Sequence, residues 1–315
     1  MISPERLTTL SRETGFRELA LEKVLRLLAL LADLNRHPLL SRVLVLKGGT
    51  ALHLGFGQPR RLSVDLDFNY VGALERQAME QDRTGVETAL ERIARAQGYQ
   101  VQWSPQSHAG RKCFLNYRNQ PGSPDRIEVD LNFLHRQLLL PATVQTMWSP
   151  EPATEVSARI LSLPELCAGK LCALLDRLAP RDVFDVACLP RIAPGLLTSS
   201  TFRPLFIALS GALPHPLHSY LGHRTPRLTP QQVRDQLHPM LLQDQEPSAE
   251  ELTQTAWPLV EPLLQLTPAE QEYVDRLQRG ELLPELLFPE DPELAERVRR
   301  HPVLQWKAQN AATRQ

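Results

Sequence analysis

The chain is poor in lysine and cysteine and carries no excess of either charge. Only Lys23, Lys47, Lys112, Lys170 and Lys307 occur, against thirty arginines. That scarcity gives each lysine interest, because a compact ammonium and a planar guanidinium do different chemistry. A formal charge of −1 over 315 residues supplies no whole-molecule basic footprint for nucleic acid and leaves only a local patch open to that role. The four cysteines, Cys113, Cys167, Cys172 and Cys188, show neither CxxC spacing nor pairing with histidine. They read as buried apolar thiols rather than a zinc site or a disulfide framework. Long hydrophobic runs are absent too: residues 27–32 fall far short of the roughly 20 that cross a bilayer. Pro4-Glu5-Arg6 lacks the apolar core of a signal peptide, so a cytoplasmic protein with no membrane partner is expected. With 42% hydrophobic and 23% charged residues, the composition is that of an ordinary globular chain.

The length suits about two domains of ~150 residues. Residues 19–34 carry a wide apolar face at helical spacing, without Gly or Pro. Residues 43–46 form a short apolar run that reads as a buried strand. It leads into Lys47-Gly48-Gly49-Thr50, and residues 51–54 look helical, so the glycines sit at a strand-to-helix turn. Residues 61–70 alternate: Leu62, Val64, Leu66 and Phe68 point one way, and Arg61, Ser63, Asp65, Asp67 and Asn69 the other. Residues 73–96 read as helix with a break near Gly85. Strands are expected over 99–103, 111–118 and 126–133, the last two flanking a hairpin-like loop at 119–124. After Pro150 only helices are expected. Ser162-Leu163-Pro164-Glu165 has the pattern of a capping box, and Ala179-Pro180 separates its helix from the next. The natural division is a mixed α/β part over 1–158 and an all-α part over 159–315.

Asp65 and Asp67 lie two apart on one strand, so both carboxylates leave the same sheet face, where they repel unless a cation sits between them. A solvated outer face explains an isolated DxD equally well. Three further features favour chemistry. Asp130, or Glu128 beside it, offers a third carboxylate from another polar-faced strand. Gly48-Gly49 precedes a helix N-terminus, whose free N–H groups suit phosphate. Thr50 adds a hydroxyl. Hard oxygen ligands beside a phosphate cradle are what Mg²⁺-assisted phosphoryl or nucleotidyl transfer needs. In the second half, Lys170 and Arg177 are two helical turns apart and share a face, either solvated or forming a cationic wall. Arg181, Asp182 and Asp185 share another, as a structural salt bridge or as site residues.

The segments Leu46-Lys47-Gly48-Gly49-Thr50-Ala51-Leu52 and Arg61-Leu62-Ser63-Val64-Asp65-Leu66-Asp67-Phe68 resemble the nucleotidyltransferase toxins of the AbiEii/AbiGii group, which belong to abortive-infection and type IV toxin–antitoxin systems and have the mycobacterial MenT toxins as relatives. The resemblance continues through residues 163–170, Arg177 and Arg181-Asp182-Val183-Phe184-Asp185, to residues 283–288. The fourteen residues between Thr50 and Asp65 make a spacer longer than the short form of the motif, and Thr50 stands where Ser is frequent.

This resemblance implies an α+β fold: a mixed nucleotidyltransferase-type sheet with flanking helices, followed by a helical lobe. It implies Mg²⁺ or Mn²⁺ on Asp65, Asp67 and Asp130, with Lys170 and Asp185 also in the active site. Lys47, Gly48, Gly49, Thr50, Arg61, Ser63, Arg177, Arg181 and Asp182 would bind the NTP. The implied acceptor is RNA, with the 3′ end of tRNA expected, and the implied partner is an antitoxin of the AbiEi kind. A non-catalytic binding module of this fold, and transfer to a protein hydroxyl, are the alternatives.

Overall fold

A computed structural model describes residues 2–153, 155–221 and 228–312. The chain divides into two compact units. The first comprises residues up to Arg136 together with Ala142–Leu161 and His238–Glu246; the second comprises Gln137–Pro141, Ser162–Leu237 and the chain from Pro247 onward.

The first unit opens with helix α1 (Pro4–Thr14), capped by the Ser3 hydroxyl and ended by Gly15 at φ 77°. Helix α2 (Glu18–Arg36) buries Leu21, Val24, Leu28 and Leu31, as its apolar spacing requires. A short turn of helix, α3 (Leu40–Val43), leads into strand β1 (Leu44–Lys47), helix α4 (Gly48–Gly55) and strand β2 (Asp65–Tyr70). Helix α5 (Arg76–Ala96) follows and runs unbroken through Gly85. The expected interruption there does not occur, since a single Gly inside a well-packed helix costs only about 1 kcal/mol relative to Ala. Strands β3 (Gln100–Trp103), β4 (Gly110–Arg118), β5 (Pro124–Asn132), β6 (Thr143–Met147) and β7 (Val156–Ile160) complete a seven-stranded mixed sheet of order β3-β4-β5-β2-β1-β7-β6. The β2–β5 and β1–β7 pairs are parallel and the others antiparallel.

Two expectations change here. The sheet continues beyond Pro150, because Val156, Ala158 and Ile160 alternate inward and β7 joins β1. Strand β2 is shorter than its alternation suggested. Residues 61–64 leave the sheet, and Arg61 forms an isolated bridge to Leu241 while the Leu62 N–H donates to the Met240 carbonyl at 2.7 Å. Residues 238–246 thus belong with the sheet unit although they come late in the chain. Leu242 bridges Phe16, the Gln243 N–H donates to the Gly15 carbonyl at 2.9 Å, and the Arg17 guanidinium donates to the His238 carbonyl.

One face of the central strands is apolar and buried: Leu46, Leu66, Phe68, Val129 and Leu131. Each such side chain contributes about 1.5–3 kcal/mol by leaving water. Because side chains alternate, this commits Lys47, Asp65, Asp67, Glu128 and Asp130 to the opposite face.

The second unit is helical: α6 (Leu163–Arg177), α7 (Pro180–Ile192), α8 (Phe202–Ser210), α9 (Pro230–Gln236), α10 (Ala249–Leu264), α11 (Pro268–Gln278), α12 (Pro292–Arg299) and α13 (Pro302–Ala312). Many of these helices begin at a Pro, whose missing N–H is no loss in a first turn. The Ser162 hydroxyl caps α6 by accepting from the Glu165 N–H. The reciprocal half of the expected capping box is replaced: the Glu165 carboxylate accepts from the N–H groups of Leu139 and Leu140, at 3.1 and 3.0 Å. Among the described residues no helix is long and apolar enough to cross a membrane. Cys113, Cys167 and Cys188 are buried free thiols, and burial pushes Cys113 and Cys167 up to about 12.

Candidate active site

Four adjacent strands each place one charged residue in a single row. Strand register pairs Lys112 with Asp130, Asp130 with Asp67, and Asp67 with Lys47. The charges run cation, carboxylate, carboxylate, cation across β4, β5, β2 and β1. One step back along β2 and β5, Asp65 pairs with Glu128, so four carboxylates share a small area of one face. Lys112 donates to the Glu128 carboxylate. That bond, with the Asp130 and Asp67 charges beyond it, raises the Lys112 ammonium above its usual range. Burial raises the Asp130 carboxyl; Lys47 and Lys112 oppose the shift, and Asp67 and Glu128 add to it. Glu128 is therefore engaged by Lys112, whereas Asp130 lies directly beside Asp67.

The glycines stand against this row. Gly48 has φ 74°, in the left-handed region, and a Cβ there would collide with the Asp67 carboxylate. A Cβ on Gly49 would sit 2.7 Å from the Ser63 Oγ and 2.8 Å from the Arg61 Nη2. Backbone, carboxylate, hydroxyl and guanidinium thus crowd the first turn of α4, where N–H groups lack helical partners. Arg61 and Ser63 are both buried. Thr50 is fully buried, and its hydroxyl donates to the Asp65 carbonyl at 2.5 Å. It ties the start of α4 to the start of β2. The hydroxyl expected to meet phosphate is thereby already used within the protein.

Among the described residues no three His, Cys, Asp or Glu side chains gather into a ready metal cage. Magnesium does not require one, because it is commonly held by one or two carboxylates and completed by water and substrate phosphates. Crowded hard-oxygen donors beside backbone N–H groups fit such an ion and such a substrate.

In the second unit, Lys170 and Asp185 form a buried pair, Nζ to Oδ2 2.7 Å, joining α6 to α7. The solvated-face reading of Lys170 does not hold, since the residue is only 8% exposed. Arg177 binds Asp182 with both arms of its fork, at 3.1 and 2.8 Å. Arg181 is exposed, unlike buried Asp182 and Asp185, so the face expected to carry all three is split by burial.

A family model described as nucleotidyl transferase AbiEii toxin, type IV TA system, matches residues 29–258. The chain belongs to the AbiEii family. The match spans the glycine turn, the Asp65-Leu66-Asp67 strand, Asp130, Lys170 and Asp185; residues 283–288 lie beyond it. Among solved structures, the chain is similar to MenT4, a nucleotidyltransferase toxin from Mycobacterium tuberculosis. The TM-score is 0.55 at 18% identity, covering 93% of this chain and 98% of that one. At that identity the likeness establishes the fold. No curated protein matches the chain in sequence. Sequence reasoning missed Lys112 as part of this charged row. Its signal was present, a rare lysine on the polar side of an alternating strand, but only the register brings it to Asp130.

Proposed function

We propose that this protein transfers a nucleoside monophosphate from an NTP to an RNA acceptor, with the 3′ end of tRNA as the expected terminus, and that growth inhibition follows. The observation that carries the reading is Asp67 beside Asp130 in adjacent strands, against the glycine turn that opens α4. We assign the β- and γ-phosphates to the backbone N–H groups of Gly48 and Gly49, with Lys47, Arg61 and Ser63 around them. We assign Asp65, Asp67 and Asp130 to a divalent cation. Magnesium or manganese there would offset charge on the triphosphate and stabilise the leaving pyrophosphate. The Asp130 carboxylate, beside Asp67, completes that cation site or takes the proton as the acceptor hydroxyl attacks the α-phosphorus and the bond to pyrophosphate breaks. Thr50 holds α4 to β2 rather than touching phosphate. From the family resemblance we assign Lys170, held by Asp185, to the leaving pyrophosphate, and Arg177, Arg181 and Asp182 to nucleotide binding. An antitoxin of the AbiEi kind is the proposed partner.

The test is incubation of the purified protein with labelled NTPs, Mg²⁺, total RNA and lysate proteins. Label in the RNA fraction, lost on chelation, is expected. Label only on protein overturns the acceptor, and no label in any fraction overturns the chemistry.

A further inference from the structure

Beyond Asp130 the same sheet face continues outward as a polar, open surface. Register sets four successive steps along β4 and β5: Lys112 with Asp130, Phe114 with Glu128, Asn116 with Arg126, and Arg118 with Pro124. None of these residues is buried. From the first step to the last is six residues of strand, about 20 Å at the usual rise. Gln102 and Gln100 of β3 flank the second and third steps, and both are exposed.

The chemistry of this face is specific. The Arg126 guanidinium lies over the Phe114 ring, 4.8 Å from its centroid, and makes no ion pair among the described residues. The Arg118 guanidinium is exposed and donates to the Gly122 carbonyl. The carboxylate nearest Arg126 in sequence, Asp125, points to the opposite face, where it binds Lys23 and Tyr117. Glu128 is occupied by Lys112. The outer half of the face is therefore cationic, with one aromatic ring and three side-chain amides. At its far end a hollow opens, lined by Gln100, Asn116, Tyr117, Arg118, Asp125 and Arg126, its one carboxylate, Asp125, being held by Lys23.

We propose that this face of β3, β4 and β5 seats the single-stranded end of the RNA acceptor, so that its terminal hydroxyl reaches Asp130 while the preceding nucleotides lie over Phe114 and Arg126. The proposal rests on the transfer reading above and adds the place and form of the acceptor. Three arguments favour RNA over a protein. A protein interface has an apolar centre, and here the apolar side chains are partly buried Phe114 and, at the far end, Pro124. Single strands are held by aromatic and guanidinium planes on which bases stack, with cations for phosphates, and that is the inventory present. Amide side chains read base edges. A duplex would hide the edges and planes that this surface addresses.

The test is fluorescence anisotropy of a labelled single-stranded oligoribonucleotide with the full-length protein, without NTP. Arg126→Glu and Phe114→Ala should each weaken binding about tenfold or more, the scale of a lost stack or a reversed phosphate contact. Arg36→Glu, on an exposed turn of α2, should leave it unchanged. Removing Arg126 should also lower the salt slope by about one. Circular dichroism melts confirm that the exposed substitutions leave the fold intact. Asp67→Ala should bind the oligonucleotide without transferring to it; wild type that binds without transfer would count against the proposed chemistry and not against this surface. Transfer by wild type, with Arg126→Glu and Phe114→Ala binding RNA and showing an acceptor KM as wild type does, would overturn the proposal. So would equal losses in Arg36→Glu, or variants that lose only labelling of a protein acceptor.

Discussion

Gly48 and Asp67 define each other's space. The left-handed φ of Gly48 alone would cost an L side chain about 1–2 kcal/mol, and the carboxylate stands where the new Cβ would go. Gly48→Ala should therefore both destabilise the protein and stop transfer. Asp67→Ala should stop transfer yet hold or raise stability, because it removes one of two adjacent carboxylates. In the double variant the collision with the carboxylate disappears and only a tight contact at 3.2 Å with the Cβ of residue 67 remains, so its thermal melt should be less depressed than the sum of the single changes. Strict additivity would mean that the glycine serves only its φ. Gly49→Val, in the same turn, should weaken NTP binding in calorimetry more than it lowers the melt. Much of this site was legible in sequence: alternation alone put Asp65 and Asp67 on one face. What alternation lacks is the neighbour. Whether Glu128 or Asp130 adjoins Asp67 depends on β2–β5 register, a contact across more than sixty residues of chain that no local pattern encodes.

Helices α6 and α7 are joined by Lys170 and Asp185, both removed from water. Removing one partner leaves the other charge buried, so Lys170→Ala should cost about 3–5 kcal/mol in urea unfolding. Replacing both, as Lys170→Met with Asp185→Leu, should recover most of that stability. Transfer that stays lost in the recovered protein would assign the pair to chemistry; transfer that returns would assign it to packing. Glu165, at the first turn of α6, titrates in the opposite sense to a surface carboxylate. Burial raises its carboxyl, although the N–H groups of Leu139 and Leu140 favour the charged form. A carboxyl raised on folding contributes stability that is present below its unfolded pKa and lost as pH rises through the folded one. The melting temperature of wild type relative to Glu165→Gln should fall from about pH 4 to pH 7. A gap that widens with pH would show that the hydrogen bonds outweigh burial. At this scale the sequence was readable wherever one face is strictly apolar, as in α2, β1 and β5. It was not readable in β6, where only Met147 is buried and the remaining side chains are partly or fully exposed, nor in β7, which follows a proline-rich turn. Gly85 misled because composition suggests a break where packing maintains a helix.

The first unit is assembled from separate stretches of chain, and its late stretch, His238–Glu246, supplies backbone partners to Phe16, Arg61 and Leu62. Arg61 stands against Gly49, so the glycine turn is braced by residues that follow it by about 190 positions. A chain ended at Leu161 would retain every strand of the sheet but lose that brace. It should melt lower and less cooperatively than full-length protein and bind NTP more weakly, as calorimetry and circular dichroism would show. Wild-type affinity in the shortened chain would reduce the late stretch to a passive connection. The division of the sequence at residue 158 has no counterpart for this return, because composition marks where helices begin and cannot say where a later loop will pair. The order of manufacture adds a further consequence. A ribosome delivers the carboxylates and glycines early, but the Arg61–Leu62 segment waits for its partners until residues 240 and 241 have emerged. A half-made chain thus holds these carboxylates and glycines without the frame that fixes them, and their arrangement is completed only late in the protein's own synthesis.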